Sequence, residues 1–317
     1  MKFAVYKLNF AAGVHLGTGT LASGANTLPA DTLFSALCME AAQQGEKSIK
    51  TLVDAVRQNR LRIGDLFPFI GEELYLPKPL VPVQSENEGK SIVKKSFKKL
   101  KYIPVSQLDT YLQGKIDPVA AVEKLQKMGA FEVRTMAASR SAEKLETGET
   151  LPYSVGVYRF GQGNGLYTIA GAEDTQTQNK FEQLLNALSY SGIGGKRSAG
   201  LGRFTVQKCE VPQALLKRLQ GKNTPCVSLS VCMAADEELE NALEGAQYLL
   251  LRRSGFVSST EYAEEQRRKR DMYMFCAGSC FRKRFSGDVF DVSNGGRHAV
   301  YRYAAPLWME KIGRAHV

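Results

Sequence analysis

The run Gln178-Asn-Lys-Phe-Glu-Gln-Leu-Leu-Asn-Ala-Leu-Ser-Tyr190, followed almost at once by Gly192-Ile-Gly-Gly-Lys-Arg-Ser-Ala-Gly-Leu-Gly-Arg203, organises the reading of the whole chain. Phe181, Leu184, Leu185 and Leu188 fall at helical spacing, so the first run predicts an amphipathic helix. The second packs five glycines and three basic residues between that helix and a predicted strand, Arg203 to Cys209. Toward the N-terminus, Tyr153 to Phe160 and Leu166 to Ala170 flank Gly161-Gln-Gly-Asn-Gly165, which reads as a hairpin. Farther back, Pro29 to Glu40 turns helical, with Leu33, Phe34, Leu37, Cys38 and Ala41 on one face and Asp31 placed to cap it. Phe3 to Phe10 reads as a strand. Strand, helix, insertion, hairpin, helix, strand is the split βαβ plan, an α+β, ferredoxin-like (RRM-like) fold with material spliced in after its first helix. Four-stranded sheets of this plan are common RNA platforms.

The first domain is thus expected over residues 1–210. After a second helix around Ile49 to Asn59, Pro68, Pro77, Pro79 and Pro82 break the chain, and an insertion is expected over about 62–150. It carries Lys94-Lys-Ser-Phe-Lys-Lys-Leu-Lys101, five lysines around Phe97, and a short helix opened by Asp117-Pro118. Residues 211–225, with Gly221-Lys-Asn-Thr-Pro225, read as a linker. The remainder, 226–310, alternates like strands over Val227 to Met233, Tyr248 to Arg253, Met272 to Phe281, Val289 to Val292 and His298 to Tyr303, and is expected to be a second ferredoxin-like domain. The tail Ile312-Gly-Arg-Ala-His-Val317 matches the translation of a common sequencing adapter and is set aside from fold reasoning.

The chain has 317 residues, 44% of them hydrophobic, which suits globular cores. Its 42 Lys and Arg against 32 Asp and Glu leave a net charge of +10, which favours a polyanionic partner. Met1 to Phe10 is too short and too interrupted by Lys2 and Lys7 for a signal peptide, and no apolar run approaches membrane-spanning length, so a cytoplasmic protein with no membrane partner is expected. Six scattered cysteines form no CxxC pair, and neither a metal nor a cofactor is expected.

In the glycine-rich stretch, a bare backbone lets N–H groups approach phosphates while Lys196, Arg197 and Arg203 neutralise charge. Gly194, Gly195, Ser198, Gly200 and Gly202 complete the candidate cradle. It is not a Walker loop, because Arg197 stands where Ser or Thr binds magnesium, and it does not fit GxGxxG. The competing reading is a flexible surface turn. Gly17-Thr-Gly-Thr-Leu-Ala22 has the GxGxxA form, but Pro29 delays the helix beyond the reach of a pyrophosphate. Arg252, Arg253, Ser254 and Gly255 suit either a phosphate clamp or a structural turn, and Lys94, Lys95 and Lys98 either RNA contact or a solvated face. Arg267-Arg-Lys-Arg270 reaches RNA or solubilises a loop. His15 suits acid catalysis, a phosphate hydrogen bond or a packed core role.

The glycine-rich loop resembles that of the RAMP superfamily of CRISPR-associated proteins. Three further segments, His15-Leu-Gly17 followed by Asp31-Thr-Leu-Phe-Ser-Ala-Leu37, then Arg252-Arg-Ser-Gly-Phe-Val-Ser258, then Gly278-Ser-Cys-Phe281, resemble the family that caps CRISPR RNA in type III-A Csm effector complexes. The resemblance implies a non-catalytic subunit that grips the 5′ handle of the guide, touches the large signalling subunit on one side and the first backbone RAMP subunit on the other, and meets target RNA indirectly. The insertion would act as a thumb that kinks the RNA. His15, Gly17, Asp31, Ser35 and Ser279 join the RNA-contacting set on this basis. Asp31 resembles in placement the acid with which backbone subunits cut target RNA. The alternative within the superfamily is a guide-processing endoribonuclease, and outside it a plain assembly scaffold. Phe97 and Phe256 are expected to stack on bases.

Overall fold

A computed structural model describes residues 1–83, 91–138 and 151–311, so the tail from Ile312 and parts of the expected insertion lie outside the described residues. Strand β1 (Lys2–Phe10) leads through β2 (Leu16–Gly17) and β3 (Gly24–Ala25) to helices α1 (Ala30–Gln43) and α2 (Glu46–Arg57). Then come β4 (Leu61–Ile63), β5 (Phe67–Ile70), β6 (Glu73–Pro77), α3 (Ser91–Lys99), β7 (Tyr102–Pro104), α4 (Leu108–Leu112) and α5 (Pro118–Gln126). The long strands β8 (Gly129–Ala138), β9 (Leu151–Phe160) and β10 (Asn164–Ala172) precede α6 (Thr175–Ser191) and β11 (Phe204–Cys209). The second half holds α7 (Gln213–Gln220), β12 (Cys226–Ser228), α8 (Asp236–Leu243), β13 (Leu250–Arg253), β14 (Met272–Phe275), β15 (Cys280–Phe281), β16 (Val289–Asp291), β17 (Tyr301–Tyr303) and β18 (Trp308–Glu310).

In the central sheet β1 lies between β11 and β10, and β10 pairs on its far side with β4 and β5, all antiparallel. With β4 and β5 taken as one interrupted strand, the spatial order is last, first, third, second. Two expectations change here. Leu61 to Ile70, where the insertion was expected to begin, belongs to this sheet; Pro68 sits opposite Leu166 at a point where the β5–β6 ladder has not begun, which is where a strand tolerates proline. The expected hairpin does turn at Gly161, whose carbonyl accepts from the Asn164 N–H at 3.0 Å, but its two strands do not pair with each other. β10, buried along nearly its whole length, takes the centre of the sheet with both edges occupied, and β9 pairs instead with β8 in a ten-residue ladder.

β1 alternates as a strand buried on both faces must. Ala4, Tyr6 and Leu8 join Leu33, Phe34 and Leu37 of α1 and Phe181, Leu184, Leu185 and Leu188 of α6, the apolar stripe read from the sequence. Val5 faces the other way, into Tyr167, Ile169, Leu215, Leu219, Val227 and Met309. The second half therefore covers the opposite face of the central sheet. Residues 211–225, expected as a linker, include α7, whose Leu215 and Leu219 lie in that core. Among the described residues the second half forms a three-stranded sheet, β15-β12-β18, and two strand pairs, β13–β14 and β16–β17. No helix among the described residues is long and apolar enough to cross a membrane.

Candidate nucleic-acid interface

The glycine-rich loop is a fixed object. After α6, Ile193 N–H donates to the Gly202 carbonyl at 2.9 Å, Gly195 N–H to the His15 carbonyl at 2.8 Å, and Gly202 N–H to the Gly13 carbonyl at 3.1 Å. These bonds staple both ends of the loop to the segment after β1. Gly194 (φ +89°) leaves only 2.4 Å between a would-be Cβ and the His15 carbonyl oxygen, and Gly202 (φ +78°) only 2.0 Å to that of Ile193. Any side chain at either position lifts the loop off its seat. Two of the glycines are thus spent on closing the loop, and the exposed tip is a 3-10 turn, Arg197–Ala199, flanked by Lys196 in a left-handed conformation (φ +58°) and by the exposed Gly200. The first N–H groups of such a turn have no acceptor inside it.

Charge on this loop is unequally engaged. Lys196 Nζ lies 4.3 Å above the Tyr153 ring and donates to its hydroxyl at 3.1 Å, a tether to β9. Arg197 is half-buried and Arg203 exposed, and among the described residues neither has a hydrogen-bond or ion-pair partner. Ser198 is exposed beside them. Beneath the loop, Leu201 packs on Val155 and Val157 with Met136 and Tyr153 at the edge, so the β8–β9 ladder is its floor. His15 is 4% exposed and its Nδ1 donates to the Gly156 carbonyl at 2.7 Å. Its role is to seat the loop; the exposed Gly17 lies against the ring edge.

A second basic cluster lies at the start of α1. Arg253 forks onto Asp31 through Nε and Nη2, both at 2.9 Å, and also reaches Thr32 Oγ1 at 2.6 Å. Arg302 Nη1 meets the same carboxylate at 2.9 Å, while its Nε is buried with no hydrogen-bond partner among the described residues. Burial lowers the pKa of Arg302 first of all, with Asp31 opposing. Lys269 donates to Ser35 Oγ at 3.3 Å, and burial, then Arg302, holds its ammonium below the usual lysine range. Arg252 is held by Asp271 through Nε and Nη2. Ser254 remains exposed and Gly255 (φ +134°) turns the chain.

Asp31 does not cap α1. Its carboxylate is drawn to the arginines of β13 and β17, and the Ala30 N–H is met instead by Asp65 Oδ1 at 2.7 Å, the same oxygen that accepts from Val231 N–H at 2.9 Å. Burial pushes the Asp65 carboxyl up to about 7, against the pull of those two N–H donors. Sequence reasoning passes over Asp65 and Arg302 and meets Lys269 only as part of the run Arg267 to Arg270; a lone acid inside the apolar stretch Leu61 to Ile70 is the signal for the first.

Lys94, Lys95 and Lys98 are exposed on α3, remote in sequence from both clusters. Phe97 between them is not free for bases: it stacks on Tyr111 at 5.9 Å and 17°, with Lys78 Nζ 5.1 Å above it. Ser279 is fully buried and donates to the Cys276 carbonyl at 2.6 Å, so it offers nothing to a surface ligand. Phe256 stays half exposed under Arg268. All six cysteines are free thiols, and among the described residues no His, Cys, Asp or Glu group could hold a metal ion.

Comparison with known proteins agrees along the whole length. The RAMP superfamily model matches residues 13–205, and the CRISPR Csm4 C-terminal domain model matches residues 222–311. The Mycobacterium tuberculosis protein named CRISPR system Cms protein Csm4 is 38% identical over 295 residues, 93% of each chain. The Streptococcus thermophilus protein of the same name is 32% identical over 98% of this chain and 99% of its own. A solved Csm3–Csm4 subcomplex of the type III-A CRISPR-Cas interference complex has the same fold, with a TM-score of 0.66 at 16% identity, covering 99% of this chain and 100% of that one. A Csm1–Csm4 cassette in complex with pppApA gives 0.60 at 18%, covering 99% and 100%. The chain belongs to the Csm4 family of the RAMP superfamily.

Proposed function

We propose that this chain is a subunit of a cytoplasmic type III-A CRISPR-Cas (Csm) interference complex. In it the chain caps the 5′ handle of the CRISPR RNA without chemistry of its own and bridges the large signalling subunit to the backbone RAMP subunits in antiviral defence. The observation that carries the RNA part is the pair Arg197 and Arg203, unpaired among the described residues and held on a loop whose backbone is fixed from both sides. A rigid cradle with free guanidinium groups suits phosphate, because no intramolecular ion pair must break before RNA binds. The two protein partners are supported by relatives solved with Csm3 and with Csm1. We read residues 1–210 and 226–310 as two ferredoxin-like units, the first carrying the excursion from β6 to β9 as a thumb against the guide, with target RNA met only through that guide. A binding role is favoured over RNA cleavage by the commitment of His15 Nδ1 to Gly156 and of Asp31 to two arginines.

The test is the affinity of the full chain for handle RNA across a salt series. Replacing Lys196, Arg197 and Arg203 together by Ala is expected to flatten the log–log salt dependence by roughly two, at about 0.7 for each single-strand phosphate that no longer meets a cation. An unchanged slope overturns the reading in favour of a scaffold. Metal-independent cleavage of repeat RNA that disappears in His15→Ala would instead make the chain a guide-processing nuclease.

A further inference from the structure

A groove of about 500 Å³ runs between the insertion and the second half, with Leu80, Val81, Phe97 and Tyr111 on one side and Tyr248 and Leu249 on the other. Its lining is mixed, with Lys78 and Gln247 set among these apolar and aromatic side chains. The Tyr111 hydroxyl is used up on the Pro79 carbonyl at 3.0 Å, and Lys78 Nζ on the Phe97 carbonyl at 3.0 Å.

The far wall continues as an apolar strip. Tyr248, Leu249 and Leu250 are consecutive and exposed, the last two at 60% and 53%, and Tyr273 on the neighbouring strand is 57% exposed. Single exposed apolar residues are ordinary; a run of three that adjoins a fourth and opens into a groove marks an interaction surface. The strip is also held in place. The Leu249 carbonyl accepts from Cys276 N–H at 2.9 Å, Gln247 and Cys280 exchange backbone bonds at 2.8 Å, and Tyr248 packs edge-on to Phe275 at 4.9 Å. These side chains face solvent from a fixed backbone, the pre-organised condition that lowers the entropy cost of docking.

The near wall borders a basic segment. Phe97 lies in the groove, and Lys94, Lys95, Lys98 and Lys101 of the same segment are exposed, none ion-paired to a described residue. RNA is a poorer match than a protein segment for the strip: Leu249 and Leu250 offer neither a stacking face nor a hydrogen-bonding group, and Phe97 is already stacked on Tyr111. We infer that this groove is a docking site for a protein segment that inserts large apolar side chains between Phe97 and Leu249 and carries Asp or Glu beside them, facing the α3 lysines. Apolar anchors supply the affinity and the carboxylates the register and the encounter rate. The groove shares no residue with the glycine-rich loop, so its occupancy stands or falls separately from RNA binding at that loop; the α3 segment is where it meets the proposed thumb contact with the guide.

The probe is a displayed library of randomised nonapeptides selected on the full chain, then on Leu249→Ser and on Lys94→Glu/Lys98→Glu. Leu249 is largely exposed, so its replacement leaves the core intact, and the lysine pair provides a second, fully surface variant. The expected result is enrichment of peptides with two large apolar residues flanked by Asp or Glu, with binding weakened roughly tenfold or more by each variant. Enrichment of basic or uncharged peptides, or binding indifferent to Leu249, overturns the inference. So does self-association of the native chain that Leu249→Ser abolishes, which would make the occupant a second copy. If Lys94→Glu/Lys98→Glu lowers handle-RNA affinity and leaves peptide selection unchanged, the lysines belong to RNA and the inference also fails.

Discussion

The glycine-rich loop and the turn from Arg252 to Gly255 are both short basic motifs at the end of a regular element, yet they hold their charge in opposite ways. In the loop, Arg197 and Arg203 have no carboxylate partner among the described residues. In the turn, Arg252 is matched by Asp271 and Arg253 by Asp31, with Arg302 added to the same acid. A basic side chain already spent on an internal carboxylate must give up that pair before it can serve a phosphate. The loop therefore has charge to offer RNA, while the arginine cluster ties α1 to the second half of the molecule.

The largest effect is expected where that tie is cut. Asp31→Ala leaves Arg302 buried without its ion-pair partner and Arg253 without its fork, and removing one partner of a buried pair costs about 3–5 kcal/mol. Chemical denaturation should show a loss of that size with an unchanged m-value. A loss under about 1 kcal/mol would mean that the cluster is not structural and that its arginines are as available as those of the loop.

Asp65 sharpens the same contrast through pH. Burial raises its carboxyl in the folded chain from 3.8 to about 7, so between those values the folded state holds a proton that the unfolded chain has lost. Its contribution to stability is thus fully present below about 3.8 and falls as pH rises to about 7, by an amount on the order of a few kcal/mol. Asp65→Asn keeps the one oxygen that accepts from Ala30 and Val231 and removes the titration. Denaturation at a series of pH values should lose its downward slope over that window in the variant, which becomes the more stable chain at pH 8. A slope that persists assigns the proton uptake elsewhere.

What is legible in the sequence is local. The apolar stripe of α6 and the strand β1 follow from spacing within a few residues of each other; the stapling of the five-glycine turn does not, because its bonds run to the carbonyls of Gly13 and His15. The pairing of β9 with β8 is not, because a Gly-rich turn fixes a change of direction and says nothing about which strand takes the freed edge. Asp31 looks like a cap for the same reason at longer range: its partners lie 222 and 271 residues away, and no window around Asp31 contains them. Phe97 looks free because Tyr111, which covers it, sits on a separate helix. Spacing reveals what a residue presents to its neighbours, and only the fold decides whether a distant group has already claimed it.

The smallest effects come from matched arginines, one from each region. Arg203→Ala is expected to leave stability within about 0.5 kcal/mol, since no described group depends on it, and to lower the salt slope of handle-RNA binding by about 0.7. Arg252→Ala removes an exposed pair with Asp271 and should cost about 0.2–1 kcal/mol of stability. Its effect on the RNA slope should be near zero, because the deleted positive charge was already offset by the carboxylate beside it. The two variants delete the same side chain, so nonspecific loss of net charge cancels between them and the difference isolates free from engaged charge. If Arg252→Ala flattens the slope as much as Arg203→Ala does, Asp271 yields its partner to RNA at little cost, and the division between the two regions fails at its exposed end while the buried Asp31 pair is untouched.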